Sequence, residues 1–150
     1  MRVFVKISGD LLCSDNVVKW LNKLQLNHEI TVCCGGGVQI NQEFEARGYP
    51  IHYGPLGREA ENDEQRGVAT DVLKKNRAEI EALLHQSGVK ATVVIPTLMI
   101  GGTECPVNGD LLVLTAYLGF DECFVLTLKS RVTEKQAQFS KYPRVHVIGF

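Results

Sequence analysis

Ile30-Thr31-Val32-Cys33-Cys34-Gly35-Gly36-Gly37 is the stretch from which the fold is read. An apolar β-branched run ends in three glycines, and a helical pattern from Val38 to Arg47 follows. A strand that turns into a helix through glycine builds a surface for an anion. Glycine permits positive φ and close approach of a ligand to the backbone. The helix that follows aims unpaired N–H groups and the positive end of its dipole at the same place. Lys6-Ile7-Ser8-Gly9 repeats the logic at the end of a first strand, Arg2 to Ile7. Two strand ends of this kind point to phosphate or carboxylate chemistry.

Outward from these turns, strands and helices alternate. Ser14 or Asp15 caps a helix through Val17, Val18, Leu21 and Leu24, and Glu29 to Cys34 is the second strand. Gly48 is placed to end the helix of Val38 to Arg47. Tyr49 to Gly57, dense in Pro and Gly, reads as a loop. A long helix runs from Glu59 to Gln86, with Gly67 as a point where it can break, and Gly88 ends it. Ala91 to Pro96 is a third strand, and Met99 to Gly109 a loop. Then come a helix (Leu111 to Leu118), a strand (Glu122 to Leu128), a short helix (Thr133 to Phe139) and a last strand (Val145 to Ile148). This order predicts an α/β fold, a three-layer αβα sandwich with a mostly parallel sheet. Its strands are near-continuous apolar runs, as a sheet covered on both faces requires. Ligands of such sheets bind outside the carboxyl ends of the strands.

A chain of 150 residues suits one domain, 1–150. A net charge of -1 gives no reason to expect a nucleic-acid surface. The chain has no apolar run of membrane-spanning length and no signal-like N-terminus, so a cytoplasmic location is expected. Its five cysteines show no C-x-x-C spacing, and the four histidines are scattered, so reduced thiols and no metal site are expected.

The residues able to carry chemistry are Lys6, Ser8, Gly9, Gly35, Gly36, Gly37, Arg58, Asp110 and Lys129. The triple glycine is not followed by Lys-Ser/Thr and lacks the G-x-G-x-x-G spacing, which excludes the common nucleotide motifs. Asp110 reads equally as a helix N-cap and as a catalytic residue. Lys129 reads first as a solvated charge, the run Arg58 to Arg66 as a solvated helix face, and Asn76 as a subunit contact on the apolar side of its helix.

Taken in order, several segments resemble the amino acid kinase family, the uridylate kinases most closely. Val5-Lys6-Ile7-Ser8-Gly9-Asp10-Leu11-Leu12 resembles its opening strand and turn, and Val32 to Gly37 its strand-GGG-helix turn. Arg66-Gly67-Val68-Ala69-Thr70 is similar to its D-x-x-G-M-L-A-T helix. Asn108-Gly109-Asp110 and Leu118-Gly119-Phe120-Asp121 bracket a further helix of the family's type. The resemblance implies phosphoryl transfer from ATP with Mg2+ to a small carboxylate or phosphate acceptor. Lys6, Asp110 and Lys129 would be catalytic, and Ser8, Gly9, Gly35, Gly36, Gly37 and Arg58 would bind phosphate or substrate. Against the family's pattern, most of the C-terminal nucleotide-binding lobe is not matched, with only a short helix and one strand following Lys129. The alternative it implies is a non-catalytic kinase-like protein that binds a small anion or serves as a regulatory or oligomeric subunit. The expected partners are a small-molecule anion or nucleotide and a second copy of the chain or a partner subunit, with neither nucleic acid nor membrane.

Overall fold

The computed structural model describes all of residues 1–150. A central sheet holds β1 (Arg2–Ile7), β2 (Glu29–Cys34), β5 (Ala91–Val94), β8 (Glu122–Thr127) and β9 (Val145–Gly149). Its order is β5-β2-β1-β8-β9, and every neighbouring pair is parallel. Five helices connect and cover these strands: α1 (Asp15–Leu24), α2 (Gly37–Ala46), α3 (Asp63–Gln86), α4 (Gly109–Ala116) and α5 (Val132–Gln138). The chain leaves β1 toward β2 and β5, and later returns to β1's other side with β8 and β9. The strand order therefore reverses at β1, the place where an open parallel sheet leaves a crevice.

The alternation of side chains along each strand separates two cores. Val3, Val5 and Ile7 of β1 face one side, with Val32 and Cys34 of β2, and pack on Val17 and Leu21 of α1 and on Ile80 and Leu84 of α3. Phe4 faces the other side, with Cys33 of β2 and with Cys123 and Val125 of β8, and packs with Val113 of α4 and Phe139. A third cluster joins Ile40 and Phe44 of α2 to Val68, Ala69 and Leu73 of α3.

Two expected loops are hairpins. Tyr49 to Gly57 contains β3 (His52–Gly54), which pairs with β4 (Gly57–Glu59), and Met99 to Gly109 contains the end of β6 (Thr97–Ile100) and all of β7 (Thr103–Pro106). The second hairpin turns through Gly101 and Gly102, both at positive φ. α3 begins at Asp63 rather than Glu59, because Asn62 is its N-cap and accepts a hydrogen bond from the Gln65 N–H. Gly67 does not break the helix. Gly48 and Gly88, both at positive φ, follow α2 and α3 as C-terminal glycines should.

α4 has no C-terminal glycine cap of that kind. Its last carbonyls accept from the N–H groups of Tyr117, Leu118, Gly119 and Phe120, and Arg144 ties down the segment that follows, donating to the carbonyls of Tyr117 at 2.8 Å and Phe120 at 2.5 Å while its guanidinium lies 4.1 Å from the Tyr117 ring centroid. Arg144→Ala is expected to lower stability by about 2 kcal/mol, from lost charge-assisted hydrogen bonds and ring stacking. Urea unfolding checks this, and Arg144→Lys should recover only part of the loss because an ammonium lacks the fork.

Candidate functional site

A cavity of about 490 Å3 opens at the carboxyl ends of β1 and β2. Lys6 leaves β1 on the same face as Phe4, and α4 covers it so closely that a Cβ on Gly109 would stand 3.1 Å from Lys6 Cε. Lys6, Asp110 and Lys135 are 8%, 6% and 5% exposed. Lys6 Nζ lies 3.3 Å from Asp110 Oδ1, and Lys135 Nζ donates to Asp110 Oδ2 at 2.5 Å. Lys6 Nζ also donates to Ser8 Oγ at 3.3 Å, and Lys135 Nζ to Gln138 Oε1 at 3.0 Å. One carboxylate thus lies between two ammonium groups, and the cluster carries a net positive charge when all three are ionised. Burial alone would raise the Asp110 carboxyl, but Lys6 and Lys135 hold it below the ordinary carboxylate value. Asp110 Oδ1 is buried, with Lys6 Nζ as its charged neighbour at 3.3 Å.

The helix-cap reading of Asp110 gives way to its neighbour. Asn108 is the N-cap of α4 and accepts from the Asp110 N–H at 2.8 Å. That bond fixes the first turn and directs the Asp110 side chain toward the lysines.

Closeness, not positive φ, requires glycine at the first two of the three positions: none of Gly35, Gly36 and Gly37 has positive φ. A Cβ on Gly35 would stand 2.9 Å from the Ile7 carbonyl oxygen, and one on Gly36 would stand 2.7 Å from Leu73 Cδ2. Gly37 meets only Arg58 Nη2, at 3.8 Å. Gly36 is the N-cap of α2 and offers no side chain, so the first N–H groups of that helix stay available at the cavity. Asn76 is not a subunit contact. It is buried beneath this turn and donates to the Gly35 carbonyl at 3.1 Å, which ties α3 to the glycines.

Arg58 lies on β4 rather than on a helix face. Its guanidinium donates to Asn41 Oδ1 and to the Gly37 carbonyl at 2.9 Å, which holds the β3–β4 hairpin over the start of α2. Gly9 lines the cavity beside Ser8 and accepts from Gln39 Nε2 through its carbonyl at 3.0 Å. Lys129 is exposed and does not line the cavity; the lysine that enters it from this part of the chain is Lys135, six residues on. Cys33, Cys34 and Cys123 are buried. Burial raises all three thiols, Cys34 and Cys123 to about 11, so they pack as small apolar side chains. No three His, Cys, Asp or Glu side chains are grouped closely enough to hold a metal ion, and Asp110 is engaged by its two lysines. No helix is long and apolar enough to cross a membrane.

No family model and no curated protein matches the chain. Among solved structures it is similar to N-acetylglutamate synthase from Neisseria gonorrhoeae complexed with coenzyme A and N-acetyl-glutamate. The TM-score is 0.73 at 14% identity, over 99% of this chain and 54% of that one. A second structure of that enzyme, with coenzyme A and L-arginine, gives a TM-score of 0.66 at 14% identity, over 85% of this chain and 43% of that one. The protein smu.665 from Streptococcus mutans gives 0.71 at 13% identity, over 93% of this chain and 83% of that one. At these identities the likeness is one of fold. The chain spans about half the length of the synthase.

These findings correct the functional expectation. The assignment to the amino acid kinases, and to uridylate kinase within them, is withdrawn, since no family model matches and the similar enzyme is a synthase that holds coenzyme A. Phosphoryl transfer, ATP and Mg2+ are withdrawn with it, and so is the non-catalytic kinase-like alternative.

Proposed function

We propose that the cavity at the ends of β1 and β2 binds a small molecule of the amino-acid class through its carboxylate. The observation that carries this reading is the buried Lys6–Asp110–Lys135 cluster beside the uncapped start of α2. Asp110 balances one lysine, which leaves one positive charge for a ligand carboxylate. Lys6 lies beside the glycine turn, with its Cε 3.7 Å from where a Gly35 Cβ would stand, and the α2 N–H groups supply neutral donors and the positive helix end. The volume falls within the range of about 300–1,000 Å3 usual for small-molecule sites. The N-acetyl-glutamate and L-arginine held by the synthase structures are of the same chemical class.

Arg58, Arg66 and Arg131 also line the cavity; Arg58 is hydrogen-bonded by Asn41 and the Gly37 carbonyl, and Arg66 and Arg131 lie in exposed pairs with Asp63 and Glu134. No acyl-transfer step is derived. The chemistry assigned to these residues is recognition: a fixed ammonium, backbone donors and a carboxylate that holds the two lysines in place.

Calorimetric titration of N-acetyl-L-glutamate and L-arginine into the protein tests this reading. Saturable binding of at least one is expected, weakened about tenfold or more in Lys6→Ala, as for loss of a charge-assisted hydrogen bond. Binding that Lys6→Ala leaves unchanged would contradict the assigned site.

A further inference from the structure

We infer that Arg58 meets a second anionic group of the ligand, so that the ligand class is a short dicarboxylate; this rests on the carboxylate site proposed above. The reason lies in how the cations of the cavity are balanced. Lys6 and Lys135 share Asp110, Arg66 pairs with Asp63, and Arg131 with Glu134. Arg58 is half-buried and lines the same cavity, and its hydrogen bonds go only to neutral groups: Asn41 Oδ1, the Gly37 carbonyl and the Tyr53 hydroxyl. Asn41 Oδ1 accepts from Nε at 3.0 Å and from Nη2 at 2.7 Å together, which fixes the plane of the guanidinium. Nη1, with its two N–H donors, makes no hydrogen bond within the chain.

The place of this guanidinium relative to Lys6 limits the span of the ligand. A Cβ on Gly35 would be 3.7 Å from Lys6 Cε, and one on Gly37 would be 3.8 Å from Arg58 Nη2. Two residues of backbone cover about 7 Å at most. The two cations therefore flank the glycine turn, with the first N–H groups of α2 between them. A ligand that places one carboxylate at Lys6 brings a second, a few bonds further on, within reach of Arg58. A guanidinium already held in its plane loses little freedom on meeting a carboxylate. A neutral amide in the same place would leave the Arg58 charge without a counter-ion. The cavity's own carboxylates do not supply one: Asp110 lies between the lysines, Glu104 pairs with Lys74 at 3.1 Å, and Asp10 is exposed.

The test is calorimetric titration of the wild-type protein with N-acetyl-L-glutamate, with its neutral isostere N-acetyl-L-glutamine, and with L-arginine. The glutamate derivative is expected to bind about tenfold or more tighter than the glutamine derivative, as for one charge-assisted hydrogen bond. Arg58→Gln should remove that difference. It is expected to weaken the glutamate derivative about tenfold or more and to leave the glutamine derivative within about twofold, with a thermal melt to verify folding. If that variant fails to fold, the wild-type series decides alone. Binding of the glutamine derivative as tight as that of the glutamate derivative, unchanged binding of the glutamate derivative in Arg58→Gln, or binding of L-arginine alone would overturn the inference and leave the carboxylate site standing. Binding of none of the three would remove both.

Discussion

Asp110→Asn is expected to lower the free energy of unfolding by about 3–5 kcal/mol, the range for breaking a buried ion pair by removal of one partner. The substitution keeps the shape but leaves Lys6 and Lys135, both under 10% exposed, as buried ammonium groups with no counter-charge. A loss of that size is a large part of the total stability of about 5–15 kcal/mol typical of a domain. Asparagine can still accept one hydrogen bond, so Asp110→Ala should be at least as damaging. The pH dependence has a definite sign. The folded-state carboxyl lies below its ordinary value of 3.8. Its contribution is therefore complete above the unfolded pKa and is lost as pH falls through the lower folded value. The wild type should lose stability below about pH 4 in part through this residue, and Asp110→Asn should lack that component. Urea unfolding of both proteins at pH 7 and along an acid series measures it. A difference under about 1 kcal/mol at pH 7 would place Asp110 in a solvated pair rather than a buried one.

The three glycines should respond very differently to one added methyl group. Gly35→Ala drives a Cβ to 2.9 Å from the Ile7 carbonyl oxygen, an atom fixed by the β1 backbone that also accepts the Gly35 N–H at 2.8 Å. The β1–β2 register must then open at the point where Lys6 is placed. A loss of about 1–3 kcal/mol is expected, as for overpacking, together with weaker carboxylate binding. Gly36→Ala presses on Leu73 Cδ2 at 2.7 Å and Asn76 Nδ2 at 3.1 Å, side-chain atoms rather than backbone, and should be milder. Gly37→Ala meets only Arg58 Nη2 at 3.8 Å, with ordinary φ, and should change stability by less than about 0.5 kcal/mol. Thermal and urea unfolding of the three variants checks the order. Equal effects at all three positions would mean that backbone freedom, not closeness, selects glycine here.

The parallel sheet was legible because Val3, Val5, Ile7, Ile30, Val32, Val125 and Leu126 form apolar runs buried on both faces. The helices flanked by clear caps or glycines were legible for a similarly local reason. The hairpins were not, since β3 and β4 have three residues each and their pairing is fixed by contacts such as Arg58 with Asn41. Gly101-Gly102 marked a turn, but the polar Thr97 and Thr103-Glu104 obscured the short strands on either side. Lys6, Asp110 and the glycines were visible as groups at strand and helix ends, while their meeting depends on α4 crossing back to β1. Lys135 carried no local signal. It lies in a short polar helix, and only the packing of α5 beside β9 brings it to Asp110, 25 residues earlier. Asn76 misled for the same reason, because its partner is a backbone carbonyl 41 residues away.

The most direct test of the carboxylate site is an amide-resolved NMR titration of the protein with N-acetyl-L-glutamate and with L-arginine. Saturable shifts are expected, centred on the amides of Gly36, Gly37 and Val38, with the Lys6 ammonium signal moving at the same ligand concentration. Saturable shifts confined to residues outside the ends of β1 and β2, with these amides unmoved, would contradict the site.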